Sequence, residues 1–212
     1  GGNDDINFQR IINEQEGIAF SLNNIGAIYK NQGDLLHAME IFQKSLKIRE
    51  DINDQVGIAF SLNNIGAIYE KQGDIPKALE FYTKSLKISK EKNEKENITY
   101  TLNNIVSCML KLGSVQVALE YGIDNLQIAK ELGYPESVRN AAITLKDIYQ
   151  KLNKHRESLE MYELYIQMRD SINNEATRKS SMKKQFQIEY EWEAIKDSVA
   201  NVAKANETQL IH

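Results

Sequence analysis

The chain has 212 residues, with 26 Lys and Arg against 30 Asp and Glu, for a net charge of -4. So slight an acidity leaves no basic footprint for nucleic acid and no strong attraction to an anionic membrane surface. No apolar run approaches the roughly 18–20 residues of a membrane-spanning helix, the single cysteine, Cys108, excludes an internal disulfide, and only 2 prolines leave helix formation unopposed.

In chain order, Gly1 and Gly2 read as an added end. The segment Phe8-Gln9-Arg10-Ile11-Ile12-Asn13-Glu14-Gln15 reads as the close of a helical repeat. Residues 1–16 are therefore expected to be a remnant of a preceding repeat's second helix, and the chain a piece of a longer protein. Gly17 to Tyr29 then recurs letter for letter as Gly57 to Tyr69, an offset of 40 residues. A degraded third copy runs from Asn97 to Ile105, and Val138, Ala142, Leu145 and Tyr149 keep the frame in a fourth. The four expected repeats are 17–56, 57–96, 97–136 and 137–172, with a separate helix over 173–212.

Each repeat splits into two helical patterns. Ile18, Leu22, Ile25 and Tyr29 recur three and four apart, which is one face of a helix. Gly33-Asp34 ends it, since glycine suits a C-terminal cap and aspartate the next N-cap. Leu35, Ala38, Met39, Phe42, Leu46 and Ile48 mark the second helix, and Asp51–Gln55 closes the unit. The second repeat matches, with Pro76 in a first turn where its missing N–H costs little.

The residues Ile25-Gly26, Tyr29, Gly33, Ala38, Phe42 and Ser45-Leu46, and their counterparts Ile65-Gly66, Tyr69, Gly73, Ala78, Tyr82 and Ser85-Leu86, resemble the tetratricopeptide signature. The 40-residue spacing is similar to the longer repeats of kinesin light chains, of the Pins/LGN adaptors and of bacterial peptide-sensing regulators. The resemblance implies an all-α fold: a solenoid of helical hairpins winding into a right-handed superhelix, followed by a long C-terminal helix. Departures fall in the third and fourth repeats; the third has Val106 for the glycine, Met109 for the tyrosine and Gly122 for the aromatic. The fourth has Lys146 for the glycine, Asn153 for Gly33 and Ser158 for the alanine.

Stacked hairpins of this kind line a concave groove with the first helix of each unit. Phe20, Asn23 and Asn24, then Phe60, Asn63 and Asn64, then Tyr100, Asn103 and Asn104 are expected there, with Lys71, Lys111 and Lys151 as a spaced basic row. A carboxamide offers an acceptor and two donors, which suits the backbone of an extended peptide. Asparagine is a mediocre helix former, so three mid-helix pairs call for a reason. In the repeats this chain resembles, the second asparagine of such a pair holds ligand backbone, which implies Asn24, Asn64 and Asn104. The alternative is that the pairs brace neighbouring helices, that the aromatics are buried between units, and that the lysines are merely solvated.

No phosphate loop, dinucleotide fingerprint, zinc motif or nucleophile elbow occurs. His37, His155 and His212 stand apart from any metal-ligand spacing. The sequence therefore implies no catalytic residue, no metal and no cofactor.

In the tail, Met182, Phe186 and Tyr190 share a face suited to capping the last repeat, while Ile188, Trp192, Ile195, Val199 and Val202 alternate as dimerising coiled-coil positions do. The run Arg169-Asp170-Ser171-Ile172-Asn173-Asn174-Glu175 and the charged helix after it resemble the junction of tetratricopeptide sensor regions in Bacteroidetes-type membrane-bound signalling proteins. That resemblance implies an extracytoplasmic, periplasmic location ahead of a kinase, cyclase or DNA-binding output domain; without it, the chain is expected in the cytoplasm. The expected function is a protein- or peptide-binding module of a bacterial signalling protein. The alternative is a homodimeric scaffold that relays a signal through its C-terminal helix.

Overall fold

The computed structural model describes the backbone of residues 2–210, and the side chains of residues 6–196 other than 181, 185, 189 and 192–194. The described residues form eight helices: α1 (Gly2–Gln32), α2 (Leu35–Asp51), α3 (Gln55–Lys71), α4 (Ile75–Glu91), α5 (Lys95–Lys111), α6 (Val115–Leu132), α7 (Pro135–Lys151) and α8 (His155–Leu210). The described residues contain no strand. The chain divides into two units, residues 1–166 and 167–212.

The turns recur because the same cap chemistry recurs. Gly33, Gly73 and Gly113 hold φ of +84°, +84° and +75° within the hairpins, and Asn153 serves the fourth at +57°. Asparagine tolerates this left-handed region better than other side-chain-bearing residues. Asn53, Asn93 and Gly133 do the same between units. Asp34, Asp54 and Asp74 each accept a hydrogen bond from the backbone N–H three residues on, satisfying a donor the helix start would leave unpaired.

In the first unit the core sits at the junctions of successive hairpins. Ala38 and Phe42 of α2 pack with Ile65 and Ile68 of α3. Ala78, Tyr82 and Leu86 of α4 pack with Ile98, Leu102, Ile105 and Cys108 of α5. Val106 of α5 and Ala118 and Leu119 of α6 pack with Leu145 and Ile148 of α7. Each fully buried Phe or Leu contributes on the order of 1.5–3 kcal/mol. Ile25 is 42% exposed whereas Ile65 and Ile105 are each 2% exposed, because the later two lie beneath a preceding hairpin.

The helix crossings explain the signature glycines. A Cβ on Gly26 would lie 2.6 Å from the Phe42 ring, and one on Gly66 would lie 2.8 Å from the Tyr82 ring. The third repeat exchanges the bulk: Val106, fully buried, replaces the glycine, and Gly122 replaces the aromatic. Leu145 closes over Gly122, 2.9 Å from where its Cβ would be. The departure at Val106 is thus compensated rather than disruptive.

Helix α1 passes through residue 16 without a turn, and α8 passes through residue 172 without one. In the second unit α8 exposes Met182, Phe186, Ile188, Tyr190 and Ile195. The side chains of Trp192, Val199 and Val202 lie outside the described residues. No helix among the described residues is long and apolar enough to cross a membrane.

Candidate peptide-binding groove

Two adjoining cavities lie along the first helices of the second, third and fourth repeats. One, of about 310 Å³, is lined by Phe60 and Asn64 of α3, Glu96, Thr99, Tyr100 and Asn103 of α5, and Glu136, Ser137 and Asn140 of α7. The other, of about 440 Å³, is lined by Asn103, Ser107, Leu110 and Lys111 of α5 and Thr144, Asp147 and Lys151 of α7. Asn103 borders both. From Tyr100 to Lys111 the groove follows α5 for about 16 Å at a rise of about 1.5 Å per residue.

The asparagine pairs divide their work. Asn63 is buried, 1% exposed, and its Oδ1 accepts from Asn104 Nδ2 at 3.2 Å. Asn103 Oδ1 accepts from Asn125 Nδ2 of α6 at 2.7 Å. Asn125 stands where Ser45 and Ser85 stand in earlier repeats, and those hydroxyls donate instead to the Ala19 and Ala59 carbonyls. Asn63, Asn103 and Asn104 therefore brace the stack. Asn24 is exposed and Asn64 half-buried, and neither carboxamide is bonded within the described residues. Asn23 is half-buried, with Oδ1 enclosed and unpaired.

Among the aromatics, Phe20 is 63% exposed and Tyr100 46% exposed, while Phe60 is half-buried in the smaller cavity. The lysine row is not uniform. Lys111 donates from Nζ to Glu70 Oε1 at 2.7 Å, so it is held across the junction between repeats. Lys71 and Lys151 are exposed. Burial, and then the charge of Lys71, push the Lys30 ammonium below the ordinary lysine range.

Glu70 holds two residues of the larger cavity's lining, Ser107 and Lys111. It accepts from Tyr82 Oη at 2.7 Å and Ser107 Oγ at 2.8 Å. Burial alone would raise its carboxyl, but the bonds from Lys111, Tyr82 and Ser107 outweigh it and hold the group below the usual carboxylate range. Sequence reasoning missed Glu96 and Glu136, whose 40-residue offset within the first turns of α5 and α7 was a readable signal. Among the described residues no group of three or more His, Cys, Asp or Glu side chains converges to hold a metal.

Hairpins with cores at their junctions and a groove lined by their first helices define an α-solenoid. Residues 17–91, the first two repeats, match the Tetratricopeptide repeat family model. No curated protein matches the chain. Among solved structures it is similar to a Rap protein complexed with Competence and Sporulation Factor, at 20% identity and a TM-score of 0.67 over 73% of this chain and 43% of that one. It is similar to aspartyl phosphate phosphatase F from Bacillus subtilis, at 13% identity and a TM-score of 0.70 over 75% of this chain and 42% of that one. It is also similar to the nearly identical TPR-like repeats of a Podosopora anserina protein named for the kinesin light chain, at 16% identity and a TM-score of 0.55 over 73% and 76%. These likenesses establish a shared fold. The chain spans less than half the length of the first two.

Proposed function

We propose that this chain is a binding module that takes an extended peptide or protein segment along the groove of α3, α5 and α7. The observation that carries this reading is one trough running across three repeats, where Phe60 and Tyr100 present apolar surface and Asn64 offers an unbonded carboxamide. Stacked first helices supply a rigid wall, and the Asn63–Asn104 and Asn103–Asn125 bonds fix it before a ligand arrives. A preorganised site loses less on ordering when it binds. A structurally similar Rap conjugation gene regulator in complex with the Phr* peptide supports the same use of the fold.

In this reading Asn64 meets ligand backbone, as does Asn24 where a ligand extends beyond the two cavities onto α1, whereas Asn104 holds the position of the wall. The module serves as the ligand-recognising part of a bacterial signalling protein; the junction-like sequence Arg169–Glu175 supports that setting and an extracytoplasmic location. The enzymatic work, where the parent has any, belongs to another part of it.

The test is saturable binding from an immobilised library of end-blocked decapeptides. Binding that is lost on Phe60→Ala with Tyr100→Ala, while circular dichroism is unchanged, supports the groove. Absence of saturable binding across the library counts against it.

A second reading, a dimerising stalk, rests on Ile188 and Ile195, both exposed and one heptad apart on α8. Light scattering at several concentrations decides it, a strict monomer being the contrary result.

A further inference from the structure

The smaller cavity carries more than shape. Glu96 and Glu136 occupy equivalent places, one in the first turn of α5 and one in the first turn of α7, and both line the space that Phe60 and Tyr100 line. Neither carboxylate has an ion-pair partner among the described residues, although the neighbouring Lys95 is within 3.2 Å of Glu131. The first turn of a helix suits a carboxylate through its macrodipole alone. That explains each glutamate singly, not the meeting of two such turns across a cavity with aromatic walls. The remaining lining groups, Asn64, Thr99, Asn103, Ser137 and Asn140, are neutral and polar, so no cation in the cavity answers the two charges.

We infer that this cavity is a recognition site for a basic side chain, an arginine in preference to a lysine, carried by the peptide in the groove. The inference rests on the groove reading above and adds the chemistry of what it selects. A guanidinium is planar and can stack on an aromatic face while its edge donates to carboxylates. Phe60 and Tyr100 supply faces, Glu96 and Glu136 supply acceptors on two different helices, and the amide and hydroxyl groups accept the remaining N–H donors. A lysine ammonium would meet the charges but not use the planar geometry. At the other end of the groove Lys111 is paired with Glu70 and Asp147 with Lys146, which leaves Lys151 as the one lining charge without an ion-pair partner among the described residues. A bound peptide is thus given a register: its arginine lies at the glutamates.

The test uses the full chain and a positional-scanning library of end-blocked octapeptides read by fluorescence anisotropy. One position should select arginine over lysine and over citrulline. Glu96→Gln with Glu136→Gln should weaken the arginine peptide by roughly three- to tenfold, leave its citrulline analogue unchanged and lower the melting temperature by no more than a few degrees, the loss of two first-turn carboxylates. Peptides that bind without arginine selection, or a selection that survives both substitutions, would overturn this inference and leave the groove reading standing. No binding by any peptide would overturn both.

Discussion

Asn104 donates to Asn63 across the boundary of the second and third repeats, 3.2 Å from carboxamide nitrogen to carboxamide oxygen. A feature that resembles a peptide-binding ladder is, at this rung, a brace between first helices. Replacing either residue with alanine should cost about 1 kcal/mol of stability. Because the two share one bond, the double variant should cost less than the sum, with a coupling of about 0.5–1 kcal/mol. Urea unfolding followed by circular dichroism reads it. Asn64→Ala, with no bond to lose, should unfold like the parent chain.

Glu70 ties α3, α4 and α5 together through Tyr82, Ser107 and Lys111. Its carboxyl in the fold lies below its ordinary value of 4.5. A depressed acid contributes stability that is complete above pH 4.5 and is lost as pH falls through the lower folded value. Glu70→Gln should therefore be less stable at pH 7, by roughly 1–3 kcal/mol. It should also lose less than the parent between pH 4.5 and acid unfolding. Melting temperatures from pH 7 to pH 3 give both the offset and the slope.

Gly17 and Gly57 begin the same thirteen-residue segment in different surroundings. Nothing lies within 4 Å of a Cβ on Gly17, while one on Gly57 would overlap the Arg49 guanidinium and the Asp54 carboxylate. That pair is largely buried, with Arg49 Nη1 at 2.8 Å from Asp54 Oδ2. Gly57→Ala should destabilise by about 1–3 kcal/mol through displacement of the pair. Gly17→Ala should stabilise, by up to about 1 kcal/mol, through helix propensity alone. Thermal melts of the two variants should move in opposite directions.

The repeat, its hairpins and their turns were legible because they rest on local chemistry: exact copies from Gly17 and Gly57, glycine at left-handed positions and aspartate at caps. The exchange of Val106 for Gly122 was visible only as two departures, since their compensation depends on two helices crossing. The groove was legible as a face, but the division of labour within it was not. Asn63 and Asn64 are adjacent and chemically identical, and only the packing of α5 beside α3 decides that one is enclosed and the other unbonded. Lys111 likewise reads as one of a row until Glu70, 41 residues away, claims it. Contacts between repeats join residues about one repeat apart, and helical periodicity within a repeat carries no information about them.

The central claim is that the open rung at Asn64 holds ligand backbone. The most direct measurement is an anisotropy titration of the strongest library peptide against the parent chain and Asn64→Ala, with melting temperatures of both. The account predicts roughly five- to tenfold weaker binding, the worth of one to two backbone hydrogen bonds, with an unchanged melting temperature. Equal affinity for the two proteins would contradict it.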